Sequence, residues 1–148
     1  MQKGENQMYK IKATVPFGVL LIGSFYAFGA IVLLVFLFIN PAQTSSIIAE
    51  RHGLPASTGN WILPVIACLA LMIAFGLYSL SKWGYILTIV YLLYFGSVNG
   101  LLYMKQPSWS YLGNVIWSIL VILYLMLVRK RFFEKKPVRD TGRKAQTI

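Results

Sequence analysis

Acidic residues are scarce in this chain of 148 residues, which has only four of them against 14 lysines and arginines. Cysteine and histidine occur once each, as Cys68 and His52, so no internal disulfide and no CxxC metal or redox motif can form. A tetrahedral zinc site needs three or four convergent ligands, which this composition does not supply. We therefore expect no cofactor, no metal and no catalytic residue, and predict that the protein is not an enzyme.

Charge is also absent from four long apolar runs, at about residues 15–39, 61–80, 83–104 and 109–128. Hydrophobic residues make up 57% of the chain, more than a small soluble domain can cover. Each run is long enough to cross a hydrocarbon core of roughly 30 Å as a helix. The sequence predicts an all-α integral membrane four-helix bundle, with residues 13–128 as its transmembrane domain.

None of the four runs contains Asp, Glu, His, Lys or Arg. An ionisable side chain within a span is expensive to bury and commonly marks a proton relay or an ion pathway. Its absence from these runs argues against proton-coupled transport through a titrating group of a span.

Basic residues lie beside the ends of the apolar runs, most densely where LMLVRKRFFEKK joins the fourth run to a tail at residues 129–148. Residues 1–12 form a second polar segment. If both segments and the turn at Lys82 are cytoplasmic, 12 of the 14 basic residues lie inside, and only Arg51 and Lys105 lie outside. Because positive residues near spans are retained in the cytoplasm, we predict that both termini lie inside.

Anionic lipid headgroups are the expected partners of the basic tail, because its cations follow directly on hydrocarbon-spanning sequence. Nucleic acid is not an expected partner. The predicted headgroup contacts are Arg129, Lys130, Arg131, Lys135 and Lys136. Phe132 and Phe133, which lie among them, are expected to dip into the headgroup layer.

The segment between the first two runs is the long loop of the predicted outer face. Asn40-Pro41 is expected to end the first helix, because proline cannot continue its hydrogen-bond ladder. The pattern from Ser46 to His52 predicts a short amphipathic helix on the outer surface, with Gly53 at its C′ position. An irregular loop is the alternative.

Glu50-Arg51-His52, at the end of this segment, is the one cluster with acid–base potential. A Ser-His-Asp arrangement needs an acid that faces the histidine, whereas adjacent helical residues do not face one another. We expect a solvated loop there, with contact to an outer partner as the alternative.

Small and polar residues mark the third and fourth runs. Gly96 and Gly100 form a GxxxG motif around Asn99, and Asn114 and Ser118 lie one turn apart in the fourth run. Small residues let helix backbones approach closely, so we expect these two faces to pack inside the bundle. A homodimer seam and a ligand groove lined by the two asparagines are the alternatives.

The C-terminal third carries one family resemblance. It reads SKWGYILTIVYLLYFGSVNGLLYM, then a proline turn, then SWSYLGNVIWSILVILYLMLVRKRF. The basic-Trp-Gly entry, the later glycine, and a fourth helix with an Asn and a basic stop resemble small four-helix membrane proteins of unknown function in bacteria and archaea. The resemblance implies four spans and a prokaryotic plasma membrane, and it brings no catalytic residue with it.

The predicted function is that of a non-enzymatic membrane protein acting through protein or lipid contacts, as an accessory subunit or a stress or immunity-type protein. Two alternatives stay open, a small transporter or channel for a neutral or lipidic solute and a holin-like pore former. A Gly/Ser/Asn stripe facing the bundle interior would favour transport, and one facing lipid would favour association.

Overall fold

The computed structural model describes residues 15–55, 57 and 59–133, and the regular elements in these ranges are all helical. They are α1 (Phe17–Ile39), α2 (Pro41–Arg51), α3 (Ile62–Tyr78), α4 (Lys82–Lys105), α5 (Trp109–Val128) and α6 (Lys130–Phe133). The predicted all-α class is confirmed. The N-terminal segment at 1–12 and the predicted headgroup contacts Lys135 and Lys136 lie outside the described residues.

Three helices, α1, α4 and α5, are long and apolar enough to cross a membrane. The fourth apolar helix, α3, has 17 residues, which is about 25 Å at the helical rise. It is shorter than the predicted run at 61–80 because Trp61 precedes its first turn and Leu80 leaves helical geometry with a φ of +48°. These helices identify the chain as a membrane-type protein.

Each long helix buries one stripe and exposes the rest of its surface. The buried stripe of α1 consists of Val19, Ile22, Gly23, Tyr26 and Ala30. The buried stripe of α4 consists of Gly84, Thr88, Leu92 and Asn99. Large apolar side chains cover the opposite faces, as with Phe28 of α1 at 67% exposure and Leu127 of α5 at 83%. Such extensive apolar exposure suits a lipid environment rather than water.

Helix α3 packs between α1 and α4, and α4 packs between α3 and α5. The closest approach joins α3 to α4 beside their connecting turn, where a Cβ atom on Gly76 would lie 2.5 Å from the Gly84 Cα atom. Ser81 caps α4 at this turn by accepting a 2.9 Å hydrogen bond from the Gly84 amide. Gly76, which no sequence pattern singled out, and Gly84, noted only as the glycine of the basic-Trp-Gly entry, therefore form the tightest backbone contact of the hairpin.

Helix α2 begins earlier than predicted. Pro41 does not leave an irregular segment behind it but occupies the first turn of α2. Proline is accommodated there because an amide in the first turn has no intrahelical partner to lose. At the other end Gly53 has a φ of +70° and, with Leu54, closes the helix through a Schellman pair of hydrogen bonds.

The orientation of α2 also differs from the prediction of a helix resting on the outer surface. Ser45, Ala49 and His52, spaced at helical intervals, are 3%, 1% and 5% exposed, whereas Ile47 is 45% exposed. Ser45 Oγ donates a 3.1 Å hydrogen bond to Asn60 Oδ1, just before α3. The face of α2 that carries Ser45 and His52 turns inward because these two side chains find hydrogen-bonding partners there, while Glu50 stays exposed.

The start of the basic tail folds back onto the bundle. Phe132 is 2% exposed and packs against Tyr85, with 5.2 Å between ring centroids. The expectation that Phe132 dips into the headgroup layer is therefore wrong, because its ring is buried within the protein. Phe133 is 46% exposed and meets the same tyrosine edge-on. The cations around Phe132 are exposed: Arg129, Lys130 and Arg131.

Candidate functional site

Polar side chains from α4 and α5 meet inside the bundle. Asn114 Nδ2 donates to Asn99 Oδ1 at 2.9 Å, and Ser118 Oγ donates to the Asn114 carbonyl at 2.8 Å. Asn99 is completely buried and Ser118 is nearly so. The structure thus brings these three residues together between α4 and α5, with Asn99 and Ser118 buried and Asn114 half-buried.

The two glycines of the GxxxG motif differ in their surroundings. A Cβ atom on Gly96 would lie 3.1 Å from Ser118 Cβ, whereas one on Gly100 would lie 3.9 Å from its nearest neighbour, Val115 Cγ2. Of the two, only Gly96 therefore lies at a close helix contact among the described residues, and the expectation of a tight seam does not hold for Gly100 there. The bonded pair Asn99 and Asn114 occupies the space between the helices at that level.

Side chains of α4 also hold the C-terminal end of α2. Asn99 Nδ2 donates to the Arg51 carbonyl at 3.2 Å and to the Phe95 carbonyl at 2.8 Å. The Tyr94 hydroxyl donates to the His52 carbonyl at 2.6 Å. Carbonyls at a helix C terminus lack intrahelical partners, and α4 supplies partners for two of them.

His52 itself is seated against α4. Its Nδ1 atom lies 2.8 Å from the Ile48 carbonyl, which can only accept, so Nδ1 carries the proton and Nε2 is free to accept from the Tyr91 hydroxyl at 3.3 Å. Burial lowers the pKa of the His52 imidazole below its usual value, against the effect of the Ile48 hydrogen bond and with a smaller contribution from Arg51. The ring is therefore neutral at pH 7. We call the four α4 side chains that hold α2 the α2 socket: Tyr91, Tyr94, Phe95 and Asn99.

The α2 socket extends far from the C-terminal end of α4. Along the helix, Asn99 lies about 9 Å from Lys105, and Tyr91 lies about 21 Å from it. Tyr26 of α1 packs edge-on against Tyr91, with 6.1 Å between centroids. His52 thus contacts Tyr91 of the bundle although none of the four predicted runs contains Asp, Glu, His, Lys or Arg. The composition of the runs alone gave no sign of this contact.

An open groove of about 210 Å³ lies on the other side of α2, next to the start of α5. We call it the outer groove, because it lies at the end of the bundle that the sequence predicts to be outside. It is lined by Ile47, Glu50, Arg51, Ser108, Ser110 and Tyr111. The Tyr111 hydroxyl donates a 2.9 Å hydrogen bond to Glu50 Oε1 and so connects α5 to α2. Glu50-Arg51-His52 is therefore not one solvated cluster, because its histidine faces the bundle while the other two side chains line the groove.

The sequence did not reveal that His52 packs against α4, or that Tyr91 and Tyr94 form hydrogen bonds with it. The spacing of Ser45, Ala49 and His52 was the available signal, since positions i, i+4 and i+7 share one face of a helix. That signal was weak because two of the three residues are polar, whereas an apolar face is what usually marks the buried side. Within the described residues, no group of three or more His, Cys, Asp or Glu is placed to hold a metal.

Comparisons of the chain with protein families, with characterised proteins and with solved structures found no match. The resemblance of the C-terminal third to small four-helix membrane proteins stays a prediction. The function of the protein must therefore follow from the chemistry of α2, the α2 socket and the outer groove.

Proposed function

We propose that this chain is a four-span integral membrane protein of a prokaryotic plasma membrane, with both termini in the cytoplasm, that acts without catalysis through protein or lipid contacts. The supporting observation is the fixation of α2, whose last carbonyls are bound by Tyr94 and Asn99. This holds the side chains of Glu50 and Arg51 at the outer groove, where a partner can reach them.

The fourth span of the proposal is α3. Its 17 residues are extended at the outer end by Trp61, which is 59% exposed, and at the other end by a turn of only three residues leading to α4. A linker that short makes α3 and α4 antiparallel neighbours. If α1 and α4 both cross the bilayer with Lys82 inside, α3 has to cross it too. The exposed cations Arg129, Lys130 and Arg131 then face anionic headgroups of the cytoplasmic leaflet.

A small transporter or channel for a neutral or lipidic solute is the second candidate. Burial of Asn99 and Ser118 inside the bundle, with Asn114 half-buried beside them, favours it, because a polar stripe for association alone would face lipid. The hydrogen bonds of these side chains argue against transport, because all three side chains already donate to groups of the protein itself. Contact-based action therefore stays the first proposal.

Cysteine labelling in intact cells tests the topology. In a Cys68→Ser background, Ser57→Cys should react with an impermeant thiol reagent, because the loop before α3 is proposed to lie outside. Thr147→Cys should react only after the membrane is permeabilised, because twelve of the 14 basic residues would hold both termini inside. Labelling of Thr147→Cys but not Ser57→Cys in intact cells would show the inverted orientation.

Solute flux separates contact-based action from transport and from pore formation. The purified protein in liposomes should leave the permeability to glycerol and to a small anionic dye unchanged relative to protein-free liposomes, because its interior polar groups bind one another. Light scattering after an osmotic step measures the first permeability, and dye release measures the second. If the protein accelerates glycerol entry and Asn114→Leu abolishes this effect, the transporter function is favoured. Release of the dye would instead favour the holin-like pore.

A further inference from the structure

We propose that the outer groove binds the zwitterionic phosphoethanolamine headgroup of a phospholipid in the outer leaflet. The proposal deepens the contact-based function and rests on its topology, which places the start of α5 at the outer interface. It identifies the ligand by its two charges, its size and its hydrogen-bond donors.

Both charged side chains of the groove have binding capacity left. Glu50 accepts from Tyr111 through Oε1, which leaves its second carboxylate oxygen for a ligand. Arg51 is held through its carbonyl, while its guanidinium forms no ion pair with any residue in the described ranges. Glu50 and Arg51 thus line one groove without forming an ion pair with each other, an arrangement that suits a ligand carrying both signs of charge.

The position of the groove points to lipid as the source of that ligand. Trp109, the first residue of α5, is 88% exposed and lies between Ser108 and Ser110 of the groove. Exposed tryptophans at helix ends are typical of the headgroup level of a bilayer. The groove therefore opens where phosphodiester headgroups are the most abundant solutes.

Size and hydrogen bonding select among headgroups. A volume of about 210 Å³ is many times what a single water needs, so the groove has room for a phosphate with a short amine arm. The phosphate binds Arg51 and the hydroxyls of Ser108 and Ser110, and the ammonium donates to Glu50. A primary ammonium has three donors for this purpose, whereas the quaternary ammonium of choline has none. A phosphoglycerol headgroup has no cation to place beside Glu50.

Native mass spectrometry of the full-length protein in detergent provides the test. Phosphatidylethanolamine, phosphatidylcholine and phosphatidylglycerol are added in turn at equal concentration. Adducts with phosphatidylethanolamine should exceed the other two roughly fivefold, the ratio expected for one exposed charge pair. Glu50→Gln and Arg51→Gln should each remove this preference. Lys105→Gln, which deletes an exposed cation at the same end of the bundle but outside the groove, should leave it intact.

Each other outcome overturns the proposal. Equal binding of phosphatidylglycerol that depends on Arg51 but not on Glu50 would reveal an anion site only. A preference that survives both groove variants would place the lipid elsewhere. Glycerophosphoethanolamine that binds as tightly as the whole lipid would make a soluble compound the ligand. Because the measurement is made in detergent, its failure leaves the topology and the flux results untouched.

Discussion

Gly76→Ala is expected to lower the free energy of unfolding by about 3 kcal/mol, the upper end of what overpacking usually costs. The added methyl would lie 2.5 Å from Gly84 Cα and 3.3 Å from Gly84 N. These are backbone atoms of a helix, so they cannot rotate away as a flexible side chain can. The short turn at Ser81 further limits how far α4 can move from α3. Thermal unfolding in detergent, followed by circular dichroism, measures the loss.

Two other glycines provide matched controls for that substitution. A Cβ atom on Gly113 meets nothing within 4 Å, and one on Gly100 meets only Val115 at 3.9 Å. Gly113→Ala and Gly100→Ala should therefore be neutral or stabilise the protein by up to about 1 kcal/mol, since alanine is the better helix former. If Gly76→Ala unfolds at the same temperature as these controls, α3 and α4 do not approach as closely as the structure shows.

Asn99→Leu is expected to release the end of α2 from the bundle. Counted as one interhelical hydrogen bond, Asn99 would contribute only about 0.6 kcal/mol. The structure predicts a larger contribution, because leucine would leave both the Arg51 carbonyl and the Asn114 amide without the partner that Asn99 provides. One such unsatisfied group costs about 2 kcal/mol, which corresponds to a roughly thirtyfold change in an opening equilibrium. Hydrogen exchange of the α2 amides should accelerate by that factor.

Asn114→Leu is the control for this second substitution. It removes the donor to Asn99 Oδ1 but leaves the bonds from Asn99 Nδ2 to the Arg51 and Phe95 carbonyls in place. We expect the exchange of α2 to stay within about threefold of the unsubstituted protein. If both substitutions accelerate it equally, Asn99 acts on α2 only through the packing of α4 on α5.

Much of the helical arrangement could be predicted from the chain because lipid imposes a length on apolar runs. The predicted fourth run, at 109–128, has the bounds of α5, and the third differs from α4 by one residue at each end. Turn residues were equally informative where their chemistry is local, as with Gly53 at the end of α2. Pro41 was misleading because a proline suits either the stop of one helix or the first turn of the next.

The contacts between helices were less predictable, as the glycines show. Gly96 and Gly100 form a recognised motif, yet only Gly96 meets a neighbour closely, and the tightest approach is made by Gly76 and Gly84. Local sequence does not specify which glycine faces a partner, since that depends on the rotation of each helix and on where two helices cross. The candidate site could not be predicted from local sequence for the same reason, because His52 and Tyr91 are 39 positions apart in the chain.

The amino-acid sequence was sufficient to predict a helical protein of membrane type and the approximate ends of its long helices. Those properties follow from the length of charge-free runs and from turn chemistry, which act over a few neighbouring residues. Tertiary contacts were needed to show that the face of α2 carrying Ser45 and His52 turns inward, that His52 packs against the bundle, and that Glu50 and Arg51 line the outer groove. These features depend on hydrogen bonds between residues distant in the chain, because a polar group buried without a partner costs more than the hydrogen bond itself contributes.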